Sequence, residues 1–317
     1  MSSLRKPMMA EIRFDRRSNE AHVEQMRAAF GGLQVEAHTN GDFHLDMKVC
    51  ALPELSFMTG RISGLTLRRS RRDMADGDGF TMWVVRDGGA FGESRNKEVS
   101  IGVGEAVMAR QDEAGYCAPT TPMQGTSLRL SRQLLAPRLQ DVDAAVLRRV
   151  PRDSEAMRHL LGYLDFAIGS NPETPELQSL VVSHIYDLAA LALGSTRDAG
   201  EQARDGGLRA ARLEAIKRDI ESHLGDGDLR LGIVAARQGI SPVYVRKLFE
   251  SEGTNFTAFV LERRLLRAFG ILSNPVMAHL SIGVIAYEVG FGDLSYFNRA
   301  FRKRFGASPS DIRQSCR

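Results

Sequence analysis

The chain has little of what several specialised protein classes require. Its 317 residues hold three cysteines, Cys50, Cys117 and Cys316. Odd in number and far apart, they make neither a disulfide framework nor a zinc pattern. The expectation is two small buried thiols and one loose thiol near the end of the chain. No apolar run approaches the roughly 18 residues that a membrane span needs. The N-terminal residues lack the apolar core of a secretory signal, so a cytoplasmic protein with no membrane contact is expected. Disorder would need fewer apolar and more one-signed residues than the 43% hydrophobic and 26% charged found here.

Catalytic and metal patterns are also missing. The seven histidines, His22, His38, His44, His159, His184, His223 and His279, form no tight cluster with glutamates on paired strands, so no metal is expected. GVGEAVM at 102–108 is followed by no lysine or helix start and suggests a turn between strands, not a phosphate cradle. No Ser-His-Asp order or nucleophile elbow stands out. The expectation is therefore no enzyme and no cofactor. LRRSRRD at 67–73 reads as a solvated hairpin tip. Binding of an anionic effector, or of DNA without sequence preference, is the alternative for that cluster.

What is present is an uneven chain. The net charge is +3. Residues 209–317 hold 17 Lys and Arg against 11 Asp and Glu, a net of +6. The remaining 25 cations and 28 acids net −3. A basic end on a mildly acidic body suggests nucleic acid at one end and something else at the other.

The pattern along the chain agrees. Residues 43–49 alternate apolar and polar at period two, and short β-branched or aromatic runs follow at 55–59, 62–67, 80–85, 99–103 and 127–130. Glycines at 60, 64, 77, 79, 88 and 89 punctuate them. Many short strands with no helical run between them predict a small sandwich or barrel. From Leu134 the spacing turns helical, over 134–146, 154–168 and 175–193. Pro175 and Gly194 punctuate the last, which is apolar enough to bury more than one face, against the β structure or a second subunit. GSTRDAGEQARDGG at 194–207 has nothing apolar larger than alanine and reads as a linker. From Leu208 on, everything reads as helix.

That last part repeats. LGIVAARQGISPVYVRKLF at 231–249 and IGVIAYEVGFGDLSYFNRAF at 282–301 begin 51 residues apart. Each opens apolar-Gly-apolar-apolar-Ala, reaches a glycine (Gly239, Gly290) followed by an apolar residue, and closes on a basic residue and a phenylalanine. A short helix ending at a glycine that can take φ > 0, an apolar plug and a polar cap opening a second helix make a helix-turn-helix. The caps are Ser241 with Pro242, and Asp293 or Ser295. Ala235 and Ala286 are small where the helices should cross. Residues 256–272 between the copies have helical spacing. At 1.5 Å per residue they span about 25 Å, able to hold two reading heads roughly one DNA turn apart.

The outward face of the second helix in copy one carries Val243, Arg246 and Lys247, while Tyr244, Val245, Leu248 and Phe249 should pack. In copy two that face is Leu294, Ser295, Asn298 and Arg299. Tyr296, Phe297, Phe301 and Phe305 are expected in the core. Arg246, Lys247 and Arg299 suit guanine, Asn298 adenine and Val243 a thymine methyl. Arg302, Lys303 and Arg304 suit phosphate.

SPVYVRKLF, FTAFVLERRLLRA, SIGVIAYEVGF and DLSYFNRAFRKRFGASPSDIR resemble the DNA-binding domain of the AraC/XylS family of transcription regulators, over about 208–313. The resemblance implies that positions 243, 246 and 247 approach base edges. The front of the chain resembles the family's ligand-binding domains in layout only. The fold class expected is α+β. A cupin-like effector-binding and dimerisation domain occupies 1–193, a linker 194–207, and an all-α domain with two helix-turn-helix units 208–317. The resemblance implies an activator, a homodimer, with promoter DNA, RNA polymerase and a small-molecule effector as partners. An organic acid or aromatic catabolite would suit. Met, Phe and Trp83 in the β domain permit a pocket, but its residues are not assigned. DNA-repair methyltransferases sometimes carry the same reading domain, but their zinc-bound cysteine cluster has no counterpart here. Two alternatives stay open: a regulator whose N-terminal domain only dimerises or meets a protein, and a cupin-like enzyme fused to a DNA-binding module.

Overall fold

The computed structural model describes residues 8–15, 33–38, 43–69, 79–170 and 172–315. The chain divides into two compact units, Met1–Ala211 and Arg212–Arg317. The described strands are β1 (Met8–Phe14), β2 (Gln34–Ala37), β3 (His44–Leu52), β4 (Leu55–Ser63), β5 (Leu65–Arg69), β6 (Phe80–Asp87), β7 (Gly89–Ser94), β8 (Lys97–Gly102), β9 (Ala106–Arg110), β10 (Gly115–Pro119) and β11 (Met123–Leu130). They form two antiparallel sheets, ordered β1-β3-β4-β11-β6-β9 and β2-β5-β10-β7-β8. The expected α+β class, with a β-rich front and helical end, is what the structure has.

Alternation decides which face of the larger sheet meets what. Leu45, Met47 and Val49 on β3 point between the sheets, joining Met58, Leu67 and Val85. Cys50 and Leu52 point the other way, with Phe57, Phe80 and Met82, under a helical layer. That layer contains α1 (Arg132–Leu135), α2 (Val142–Ala145), α3 (Glu155–Ser170) and α4 (Pro175–Leu193). Thr174 caps α4 by accepting from the Leu177 amide, and Gly194 ends it at φ 100°. Tyr186 of α4 donates to the Glu54 carbonyl at 2.5 Å and accepts from the Ser131 amide at 2.7 Å. These bonds fasten the helix to the sheet, and burial pushes the phenol up to about 12. Leu177 and Leu180 stay exposed on its first turns.

Two expectations are corrected, and the stretch read as a linker holds a helix. Gly60 was expected to separate two strands, yet β4 runs through it. A Cβ there would stand 1.9 Å from the Asp46 carbonyl oxygen, so the glycine serves a close approach of β3. Residues 134–146 are not one helix: Pro137 lies in a tight 3-10 turn, and Asp141 restarts the chain by capping α2. The stretch read as a linker contains α5 (Arg197–Asp205), opened by Thr196, whose hydroxyl accepts from the Ala199 amide. Its small residues are used for close packing: Ala203 is fully buried, and a Cβ on Gly200 would meet Ser195 Oγ at 3.0 Å.

α6 (Gly207–Ser222) enters the second unit, which continues with α7 (Leu231–Arg237), α8 (Pro242–Glu250), α9 (Phe256–Leu272), α10 (Ile282–Glu288), α11 (Leu294–Phe305) and α12 (Pro309–Ser315). Two cores form here. Val234, Val245, Leu248 and Phe249 pack with Phe256 and Val260 of α9. Ile285, Phe297 and Phe301 pack with Leu265, Ala268 and Leu272, further along the same helix. α9 is therefore the shared wall of both.

Candidate nucleic-acid interface

Each helix-turn-helix is built as its spacing predicts. α7 and α8 are joined through Gly239 at φ 65°, and α10 and α11 through Gly290 at φ 93°. Ser241 accepts from the Tyr244 amide at 3.2 Å with Pro242 following, and Asp293 accepts from the Tyr296 amide at 2.6 Å. Asp293, not Ser295, is the cap. Ala235 and Ala286 are buried where the helices cross.

The caps set the rotation of the second helices. In α8, Val245, Leu248 and Phe249 are buried, and Val243, Arg246 and Lys247 are exposed, Val243 at 57%. In α11, Phe297 and Phe301 are buried and Phe305 is half-buried, while Leu294, Ser295, Asn298, Arg299, Arg302 and Lys303 are exposed. Phe269 of α9 sits 4.8 Å from the Phe305 ring and 6.4 Å from that of Phe301. Aromatics thus hold α11 against α9 and its cations face outward. Among the described residues, Arg246, Lys247, Arg299, Arg302 and Lys303 form no ion pair. An exposed helix face bearing Arg, Lys and Asn can donate to base edges and phosphate oxygens.

Two assigned positions behave differently. Tyr296 was expected in the core but is 47% exposed, leaning on Phe291 at 6.1 Å between ring centroids. Arg304 was expected at phosphate, but its Nε and Nη2 grip Glu262 of α9 at 2.8–2.9 Å. The Arg304 guanidinium holds the Glu262 carboxyl below the usual glutamate range. Arg304 therefore braces α11 on α9.

Contacts missed by sequence reasoning hold the reading heads in place. Arg264 of α9 donates to the carbonyls of Leu224 at 3.0 Å and Asp226 at 2.7 Å. Lys217 of α6 bridges Glu214 at 2.9 Å and Glu252 at 2.7 Å. Lys217 and Glu252 lie 35 residues apart and Arg264 and Leu224 lie 40 apart, beyond any local spacing rule.

The first unit contains a cavity of about 80 Å3 between its sheets, partly open to solvent. Trp83, Val107, Ile101 and Leu67 supply apolar wall, and Tyr116, Thr81, Glu93 and Arg110 supply polar groups. Arg110 is neutralised by Asp112 at 2.6 Å, with Glu113 and Asp143 each at 3.2 Å. Cys117 lines the wall, its thiol pushed up to about 12 by burial, and so stays protonated. Cys50 is buried in the core, as expected, and Cys316 lies outside the described residues. The basic cluster is not a free hairpin tip where it is described. Arg68 pairs with Glu36 at 3.0 Å, and Arg69 is buried, donating to the Gln111 carbonyl. Residues 70–73 lie outside the described part, as does His22. Among the described residues no three His, Cys, Asp or Glu side chains group as metal ligands, and no helix is long and apolar enough to cross a membrane.

Residues 234–315 match a helix-turn-helix domain family, and residues 23–194, more than half the chain, match the AraC-binding-like domain family. Among curated relatives, the transcriptional activator RhrA of Rhizobium meliloti (strain 1021) is 35% identical over 155 residues, 49% of this chain and 48% of that protein. The alignment thus spans about half the length of that relative. The transcriptional activator NphR of Rhodococcus sp is 28% identical over 242 residues, 75% of this chain and 70% of that protein. The crystal structure of the AraC-like transcriptional activator CuxR overlaps 82% of this chain and 95% of its own at 19% identity, with a TM-score of 0.47.

Proposed function

The chain belongs to the AraC/XylS family of transcription regulators, and from that premise we propose that it is a sequence-specific, DNA-binding transcription activator of the cytoplasm. Its second unit binds promoter DNA through α8 and α11. Val243, Arg246 and Lys247 in one head, and Leu294, Ser295, Asn298 and Arg299 in the other, read base edges. Arg302 and Lys303 meet phosphate. The observation that carries this reading is two capped helices, each with an exposed polar and cationic face, braced on one helix of 17 residues. RNA polymerase at the promoter is the partner that the family adds.

Residues 1–193, most of the first unit, sense a small molecule in the cavity between the sheets and dimerise. Apolar wall with a few convergent polar groups is the usual build of a ligand site. The exposed Leu177 and Leu180 on one face of α4 suit a second copy of the chain. Residues 194–207 connect this sensor to the DNA-binding part.

The test uses the full chain. Duplexes selected from a random library should share two short elements about one helical turn apart, near 10 base pairs. Affinity for them should fall steeply with salt. Failure to enrich any sequence would reject the reading. Trp83 is the sole tryptophan and lines the cavity, so its fluorescence reports ligands directly. A compound that shifts this emission and changes affinity for the selected duplex is the effector. Binding of DNA with no responsive compound would favour a regulator whose first unit only dimerises.

A further inference from the structure

The two second helices carry a tyrosine at the same place, and only one of them is bare. Tyr244 and Tyr296 each follow the cap by three residues, and each gives its amide to the capping side chain. In α8 the ring is covered, with the Arg212 guanidinium 5.5 Å from its centroid. In α11 no such cation among the described residues lies over the ring, and Tyr296 is 47% exposed. Phe291 backs it at 6.1 Å and itself packs on Phe297 at 5.0 Å, so the phenol is held rather than free to swing. Leu294, two residues earlier, is 37% exposed. A Cβ on Gly283 would lie 3.9 Å from its Cδ2, so its side chain rests on α10.

The chemistry of this turn is apolar beside an acid. Leu294 and Tyr296 flank Ser295, and the cap before them is the carboxylate of Asp293. The first cation comes only at Arg299. A carboxylate disfavours phosphate there, so the turn is not a backbone clamp. The first turn of a reading helix is where base edges are met. Among the four bases only thymine offers a methyl group in the major groove. We propose that α11 reads thymine C5-methyl groups through Leu294 and Tyr296, two neighbouring side chains that give the second reading head a stronger thymine preference than Val243 alone gives the first, which otherwise reads with Arg246 and Lys247. This rests on the DNA-binding reading above. Arg299, Arg302 and Lys303 further along the helix hold it to the groove walls.

The experiment replaces thymine by uracil, one position at a time, in duplexes selected by the full chain. Uracil pairs like thymine and lacks only the methyl. Each contacted methyl should cost about fourfold in affinity, the factor that about 0.8 kcal/mol for one buried CH2 converts to. In Leu294→Ala and Tyr296→Ala those sensitive positions should become indifferent to uracil, while Val243→Ala leaves them sensitive. Both side chains are exposed, and circular dichroism of each variant checks that the helices persist. Uracil without effect at every position would overturn the proposal while DNA binding stands. So would sensitive positions that keep their sensitivity in Leu294→Ala and Tyr296→Ala. If no sequence is enriched at all, this proposal and the DNA-binding reading fall together.

Discussion

The two helix-turn-helix units follow one plan, but their corners are held differently. Gly239 takes φ 65° in open space, with nothing within 4 Å of where a Cβ would stand. Gly290 takes φ 93°, and a Cβ there would stand 2.3 Å from the Leu224 carbonyl oxygen and 2.7 Å from Arg264 Nη2. That same Arg264 ties α9 to the turn after α6 through two carbonyls. The first corner needs glycine for its backbone angle alone. The second needs it for the angle and for the space. The second head is also clamped at its far end by Arg304 on Glu262, and it faces outward with Arg299, Arg302 and Lys303 where the first has Arg246 and Lys247. One repeated sequence signal thus covers a free-standing corner and a wedged one.

The largest expected effect comes from testing that difference. Gly290→Ala should cost about 3 kcal/mol or more, combining left-handed strain with a backbone clash and a displaced Arg264. Gly239→Ala should cost only about 1–2 kcal/mol, for the backbone angle. Hydrogen exchange of the amides in α10 and α7 reads the two separately. Equal losses would remove the distinction.

Next come the readers. Arg299→Ala should cost about 1–3 kcal/mol of DNA affinity and relax preference at one base pair. Lys303→Ala should weaken all duplexes alike and lower the salt slope by about one. Salt titrations on the selected duplex and on a scrambled one separate the two. Identical behaviour would mean that base and phosphate roles are misassigned. Arg304→Ala should leave the salt slope unchanged, because its guanidinium is held by Glu262.

The smallest effect is one of pH. Glu262 titrates below its ordinary range because Arg304 holds it charged. Its contribution to stability is therefore complete above the ordinary glutamate value of about 4.3 and is lost as pH falls through the lowered folded value. Denaturant midpoints from pH 6 to pH 3 should fall less in Glu262→Gln than in the parent. Parallel curves would contradict the pairing.

Much of this was legible in the sequence, for physical reasons. The corners announced themselves because a glycine at a helix end, an apolar plug and a capping Ser or Asp are local signals. The inward Val245, Leu248, Phe297 and Phe301 followed from helical period. Tyr296 did not, because period places it like Tyr244, and only Arg212, 32 positions before Tyr244, distinguishes the two rings. Arg304 looked free for the same reason: its partner Glu262 is 42 residues off. The edge strands β1 and β2 were not anticipated, being short and paired only with residues 28 or more positions onward. Gly200 and Ala203 looked like linker because the packing of small residues leaves no hydrophobic pattern.

The central claim is that α9 holds two reading heads as one rigid pair. The most direct measurement is the affinity of the full chain for its selected duplex after the two elements are moved apart by about five base pairs, half a helical turn. The account predicts that the added half-turn puts one element on the wrong face and reduces affinity at least tenfold. Unchanged affinity would show that the heads engage DNA independently, and the claim would fail.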